Sequence, residues 1–345
     1  MDYNETAIGK RSLSRRQMLL ALGAGAASLI AAACGDAHAA APAKKVVRLA
    51  AMFPQTTGSG YTSATEFAKW IGDKTKGELT VQVYAGGQLG AERDLVESVQ
   101  MGAVEIGYFS LWPISNIAGE WAGVLSVPYL FRDINHFRQV LDGPVGKPMR
   151  DAMLERKGIR HITFTNRGPR YLTSNQPVTT PADLKNVKMR VPESNVYIAS
   201  WKMLGATVTP MAMTEIFLAL RQGTINAQES NYEIIFNNSF FEVQKYLNRT
   251  AHVLDAYHIT VSDKWWQTLS PDLQKTLTEG LIEMGKLQDK QQAQDEASYE
   301  PRLKEKGMTF HEVNLQSFRD GLKDLPKQFA GKWKAGFYEE VQAVK

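Results

Sequence analysis

Cysteine is nearly absent: Cys34 is the single one in 345 residues. A lone thiol excludes an internal disulfide framework and any Cys-rich metal site. Histidine is sparse as well, with six copies scattered along the chain, so no His/Cys cluster has metal-ligand spacing and no metal is expected. Charge of one sign is also lacking. Forty Lys and Arg face 36 Asp and Glu, and the net charge of +4 is spread without a dense basic run. Nucleic-acid binding rests on a concentrated basic patch, so this class is set aside. No P-loop, dinucleotide glycine pattern or Gly-x-Ser-x-Gly elbow occurs, and no cofactor is expected. No repeat or low-complexity tract appears beyond an Ala-rich start.

What remains is an ordinary globular composition. Hydrophobic residues make up 43% of the chain, enough at this length for two domains with cores of their own. Residues 1–39 read as an address rather than as structure. Ser14-Arg15-Arg16-Gln17-Met18-Leu19-Leu20 resembles a twin-arginine export signal, and the apolar run from Met18 to Ala33 is short and rich in Gly and Ala for a membrane span. Two processing outcomes fit. Ala37-His38-Ala39 is a small-x-small cleavage site, and Ala31-Ala32-Ala33-Cys34 is a lipobox without the usual Leu, which would leave a lipid anchor at Cys34.

Strand and helix patterns alternate after the signal. Strands are predicted at 46–51, 80–84, 106–109, 161–165, 188–191, 206–209 and 250–261. Helices are predicted at 62–74, 92–101, 196–204 and 214–222, with one long polar stretch at 272–306. Such alternation implies an α/β fold with parallel sheets covered by helices. A helix of that final length can span two lobes.

The most specific stretch is Arg170-Tyr171-Leu172-Thr173-Ser174-Asn175, then Thr180-Pro181-Ala182-Asp183-Leu184-Lys185, then Lys188-Met189-Arg190-Val191-Pro192-Glu193. Gly87-Gln88-Leu89-Gly90, Val127-Pro128-Tyr129-Leu130, Thr209-Pro210-Met211, Gln228-Glu229 and Phe241-Glu242-Val243-Gln244-Lys245-Tyr246 accompany it. Together these resemble the substrate-binding subunits of tripartite ATP-independent periplasmic (TRAP) transporters, the DctP family, over essentially all of the mature chain. The resemblance implies a two-lobed periplasmic-binding-protein fold with hinge strands and a long helix spanning both lobes. It places one lobe at 44–167 plus 256–295 and the other at 168–255 plus 296–345. It also implies a periplasmic monomer that is no enzyme, takes a small organic acid and passes it to membrane subunits.

Residue by residue, the family's carboxylate-clamping arginine maps to Arg190. A guanidinium meets a carboxylate through two parallel hydrogen bonds, which lysine cannot imitate. An ion pair with Glu193 is the structural alternative. Arg170 is the second candidate, and Arg167 lacks motif support. Ser230, Asn231 and Tyr232 depart from the family's Gln-Glu-Asn-Pro pattern and are candidate partners for hydroxyls. Met213 stands where relatives carry an aromatic wall. Phe53, Gln55, Glu92 and Trp112, with Tyr61 and Ser110, lie at strand ends or helix starts, where open α/β sheets bind ligands. Two arginines for the acid end and Glu92 for hydroxyls point to a sugar acid such as a uronate or aldonate. A dicarboxylate or keto acid is the alternative cargo. An exported enzyme and a ligand-sensing partner of a receptor are the different-class alternatives.

Overall fold

The computed structural model describes residues 44–55 and 58–345. The export signal, both processing sites and Cys34 lie outside them. Nine strands form one continuous sheet: β1 (Lys45–Ala51), β2 (Leu79–Tyr84), β3 (Ile106–Ser110), β4 (Ile159–Ser174), β5 (Lys188–Val191), β6 (Thr207–Pro210), β7 (Ala227–Ser230), β8 (Tyr246–Ser262) and β9 (Thr309–His311). Their order is β2-β1-β3-β8-β4-β7-β5-β6, with β9 beside β8.

The first lobe is built around β1, which pairs in parallel with β2 and β3. Both of its faces are covered, so it reads as an apolar run rather than an alternation. Alternate residues nevertheless serve different cores. Leu49, Ala51, Ile106 and Tyr108 pack with Phe67 and Ile71 of helix α1 (Ser59–Lys74). Ala50, Met52 and Phe109 pack with Leu95, Val96 and Val99 of helix α2 (Glu92–Met101) on the opposite face. In the second lobe β5 pairs in parallel with β6 and β7. Met189 and Val191 join the core with Trp201 of the helix Asn195–Met203.

Two antiparallel strands of 16 and 17 residues, β4 and β8, carry the sheet from one lobe to the other. β3 pairs with the end of β8, and β7 with the end of β4. These crossing strands correct the parallel-sheet expectation, which holds only within each lobe. β4 also runs nine residues past its predicted end at Thr165. Gly168-Pro169 reads in sequence as a break, but register shifts between Asn166 and Gly168 and between Arg170 and Leu172 absorb it. Proline is tolerated in a strand at such bulges.

The long helix is present over Pro271–Glu305. At 1.5 Å per residue it reaches about 52 Å. Leu277, Leu281 and Met284 bury into the first lobe beside Phe67, and Tyr299 and Leu303 bury into the second beside Ile234 and Phe240. It is therefore a beam shared by both lobes. The sequence reading assigned no elements to the C-terminal stretch. There the helix Phe337–Ala343 buries Phe337 and Val341, and Phe337 packs edge-on to Trp121 at 5.2 Å.

The beam packs tightly against α1 at Gly280, where an added Cβ would stand 2.4 Å from the Trp70 ring and 2.9 Å from Phe67. Gly280→Val is expected to cost about 1–3 kcal/mol of unfolding free energy through overpacking, as read by urea denaturation. An unchanged midpoint would show that the α1–beam contact is loose.

Candidate functional site

A cleft enclosing about 490 Å³ of space free of protein atoms, part of it open to solvent, lies where the two lobes meet. The first lobe contributes Met52, Glu92, Ser110 and Trp112 to its wall, and the second contributes Arg190, Pro192, Met211 and Met213. Arg167 and Arg170 line it from the crossing strand β4. Each position follows from strand parity or from a helix start. Arg190 sits between Met189 and Val191, so it turns away from the core they enter. Glu92 opens α2, where the helix dipole favours a carboxylate.

The three arginines differ in what holds them. Arg170 is 2% exposed and spends its donors on protein acids. Its Nε and Nη2 donate to the Glu229 carboxylate at 2.5 and 2.8 Å, Nη2 donates also to the Glu229 carbonyl at 2.9 Å, and Nη1 donates to Asp255 at 2.7 Å. Glu229 further meets His252 Nε2 at 3.0 Å. Arg167 donates from Nη1 to Ser110 Oγ at 2.8 Å and to Asp255 at 2.9 Å, with its Cζ 4.0 Å from the centre of the Tyr257 ring. Arg190 makes one protein hydrogen bond, from Nε to the Met211 carbonyl at 2.9 Å. Its Nη1 is buried without a partner, and it forms no ion pair with any described residue, Glu193 included.

Electrostatics follow this division. Burial pushes the Glu229 carboxyl up, but the Arg170 guanidinium and His252 outweigh it and hold it at about 2. Burial pulls Arg190 down to about 10, against the attraction of Glu229, so it remains charged at neutral pH. Burial raises Glu92, while the Ser110 N–H and the Trp112 indole N–H, the latter at 2.6 Å, counter it from either carboxylate oxygen. The site is thus an acid–base lattice in which one guanidinium lacks an acid against it.

Among the residues singled out from sequence, Arg190, Arg170, Glu92, Trp112 and Met213 share the cleft. Gln55 lines an adjoining recess with Met213 and Met52. Phe53 lies in the core instead, edge-on to Tyr108 at 5.3 Å and near Tyr257. Ser230, Asn231 and Tyr232 also stand away from the wall. Ser230 is buried at the end of β7, Asn231 Oδ1 caps the helix Tyr232–Asn237 by accepting from Ile234 N at 3.0 Å, and Tyr232 stacks on Tyr171 at 4.3 Å. Met52 is a cleft residue that the sequence reading passed over, Met211 was quoted only within its motif, and Arg167 was set aside for lack of motif support. Met52 was legible from parity, since it is one residue from Phe53 and therefore faces the other side.

The family model for bacterial extracellular solute-binding protein, family 7, matches residues 50–332. A solute-binding protein of Roseobacter denitrificans is 34% identical over 271 residues, 76% of this chain and 81% of the relative. The 2,3-diketo-L-gulonate-binding periplasmic protein of Escherichia coli is 32% identical, over 77% of this chain and 81% of the relative. A solved TRAP periplasmic solute-binding protein from Roseobacter denitrificans, with bound L-galactonate, superposes with a TM-score of 0.82 at 30% identity, covering 88% of this chain and 99% of that one.

Acid sensitivity follows from the buried groups. His258 is buried with both ring nitrogens unpartnered, and burial holds it at about 3. An unfolded histidine takes its proton near 6.5, so stability is expected to fall as pH drops below 6.5. Glu229, depressed to about 2, adds a second loss as pH falls from about 4.5 toward 2. Glu229→Gln should remove that lower limb and cost about 3–5 kcal/mol at pH 7, because it leaves Asp255 alone to answer both Arg170 and Arg167. Urea midpoints that stay flat from pH 7 to 3 would contradict this assignment.

Proposed function

The chain belongs to the bacterial extracellular solute-binding protein family 7, the DctP family of TRAP transporter binding proteins, and on that premise we propose that it captures a sugar acid in the interlobe cleft by clamping its carboxylate on Arg190. The observation that carries this reading is the state of Arg190. A buried guanidinium without a counter-charge is costly, by several kcal/mol after relaxation. A ligand carboxylate removes that cost and fills the free Nη donors with charge-assisted bonds.

Counting charges narrows the cargo. Three guanidiniums face the cleft, and Glu229 and Asp255 contact Arg170 and Arg167. Of the three, Arg190 alone has no acid in contact among the described residues, and one such guanidinium suits one carboxylate better than two. A dicarboxylate would bring its second charge toward Glu92 on the opposite wall. Glu92 and Trp112 suit a hydroxylated chain instead, since a carboxylate accepts hydroxyl protons and an indole packs on a sugar's C–H face. The relatives with bound L-galactonate and named for 2,3-diketo-L-gulonate support the same class.

In this reading the moving bodies are 44–167 with 256–295 and 168–255 with 296–345, joined through β4, β8 and the beam. The protein binds rather than transforms its cargo, acts in the periplasm as a monomer after export, and presents its closed form to the membrane subunits. Closure excludes water and lowers the local dielectric, which strengthens the Arg190 contact.

Arg190→Met is expected to weaken galactonate or glucuronate binding by about 2–5 kcal/mol, roughly 30- to 5,000-fold in Kd by calorimetry. Arg190→Lys should recover little of this. The unliganded Arg190→Met protein should melt no lower than wild type, because the lost group has no acid partner. Undiminished affinity in Arg190→Met would remove the clamp.

A further inference from the structure

Arg167 and Arg170 are three residues apart on one strand, and in a regular strand such residues face opposite sides. Both nevertheless line the cleft. The reason is the register shift between Asn166 and Gly168, with Gly168 at φ +78°. Arg167 is the residue inserted there, and a bulge re-aims the side chain it carries. An L side chain is strained at that φ, and a Cβ on Gly168 would also stand 2.7 Å from Glu296 Oε2, so the glycine fixes the bulge in place.

Donor counts then separate the two arginines. Four of the five N–H groups of Arg170 are taken by Glu229 and Asp255. In Arg167 only Nη1 is engaged, by Ser110 and Asp255, while Nε and Nη2 are buried and meet no acceptor. Asp255 and the Tyr257 ring hold the guanidinium plane and answer its charge. What Arg167 has left is directional donors rather than unbalanced charge. Such an edge fits neutral oxygen acceptors.

We propose that Arg167 is a specificity-determining residue of this site, donating from its free Nε/Nη2 edge to hydroxyl oxygens of the acid whose carboxylate lies on Arg190. This rests on the sugar-acid reading above and adds to it the residue that distinguishes a polyhydroxy acid from a plain one. A buried edge left without its acceptor carries a penalty, so a site of this kind rejects the analogue that lacks the hydroxyl. The rival acceptor is Glu233, a buried carboxyl on which the Ser59 backbone N–H acts and whose charge acts on Arg167.

The test is a ligand-by-variant cycle in calorimetry with L-galactonate and its 2-deoxy, 3-deoxy and 4-deoxy analogues. Wild type should lose about tenfold or more in affinity on at least one deoxygenation. Arg167→Met and Arg167→Lys should bind L-galactonate about tenfold more weakly and lose less than about threefold further on that same deoxygenation. Arg167→Lys keeps the charge on Asp255, so it serves as the folded control if the methionine variant melts early. Glu233→Gln should keep the wild-type pattern. The inference is overturned if the deoxygenation penalty survives in both Arg167 variants, if wild type shows none, or if Glu233→Gln abolishes it. Failure of the underlying reading looks different: L-galactonate would then bind Arg190→Met as tightly as wild type, whatever Arg167 does.

Discussion

A buried guanidinium that no protein acid touches is the constraint around which the cleft is arranged. Arg190 keeps its charge at neutral pH although burial lowers its proton affinity, and among the described residues its one protein acceptor is the Met211 carbonyl. Proteins seldom leave such a group unanswered. The neighbouring arginines show how the same chain neutralises a charge when it is structural. Arg170 is gripped by two acids, and Asp255 is shared between Arg170 and Arg167. Against that background Arg190 stands apart, and in the proposed function a ligand carboxylate is the group that answers it.

The fold turns this asymmetry into capture by placing the two halves of the wall on different lobes. Glu92, Ser110 and Trp112 stand at the ends of elements in the first lobe, and Arg190, Met211 and Met213 stand at the strand ends of the second. β4, β8 and a 35-residue helix tie the lobes together. The paired arginines sit on β4 itself, so the floor of the site belongs to the connection rather than to either half. A ligand that bridges floor and walls gains contacts only when both walls are in place, which couples binding to closure.

Much of this was legible in the residues. Apolar runs located β1 and β3 within one or two positions, because buried parallel strands are apolar on both faces, whereas β5, Lys188–Val191, alternates charged and apolar residues. The absence of an internal proline over 272–300 foretold the long helix. The motif singled out Arg190, and the structure puts it in the cleft wall. The misplacements have one physical origin, the side on which a residue faces. Phe53 and Met52 exchange roles through a single step of parity. Of the hydroxyl partners expected at 230–232, Asn231 Oδ1 caps a helix and Tyr232 stacks on Tyr171, while Ser230 Oγ and Asn231 Nδ2 are buried without a protein partner. Arg167 was set aside for want of motif support, and a bulge between Asn166 and Gly168 turns it into the cleft wall. Gly168-Pro169 hinted at the bulge, but its effect on side-chain direction is set by pairing with β8, which local sequence does not contain.

The account as a whole turns on where a solute's carboxylate rests. A crystal structure of the protein with L-galactonate or D-glucuronate measures this directly. The prediction is a carboxylate held by the free Nη atoms of Arg190 through two hydrogen bonds of about 2.7–2.9 Å, with Arg170 still bound to Glu229 and Asp255. A carboxylate held elsewhere in the cleft, with Arg190 turned onto a protein acid, would contradict it.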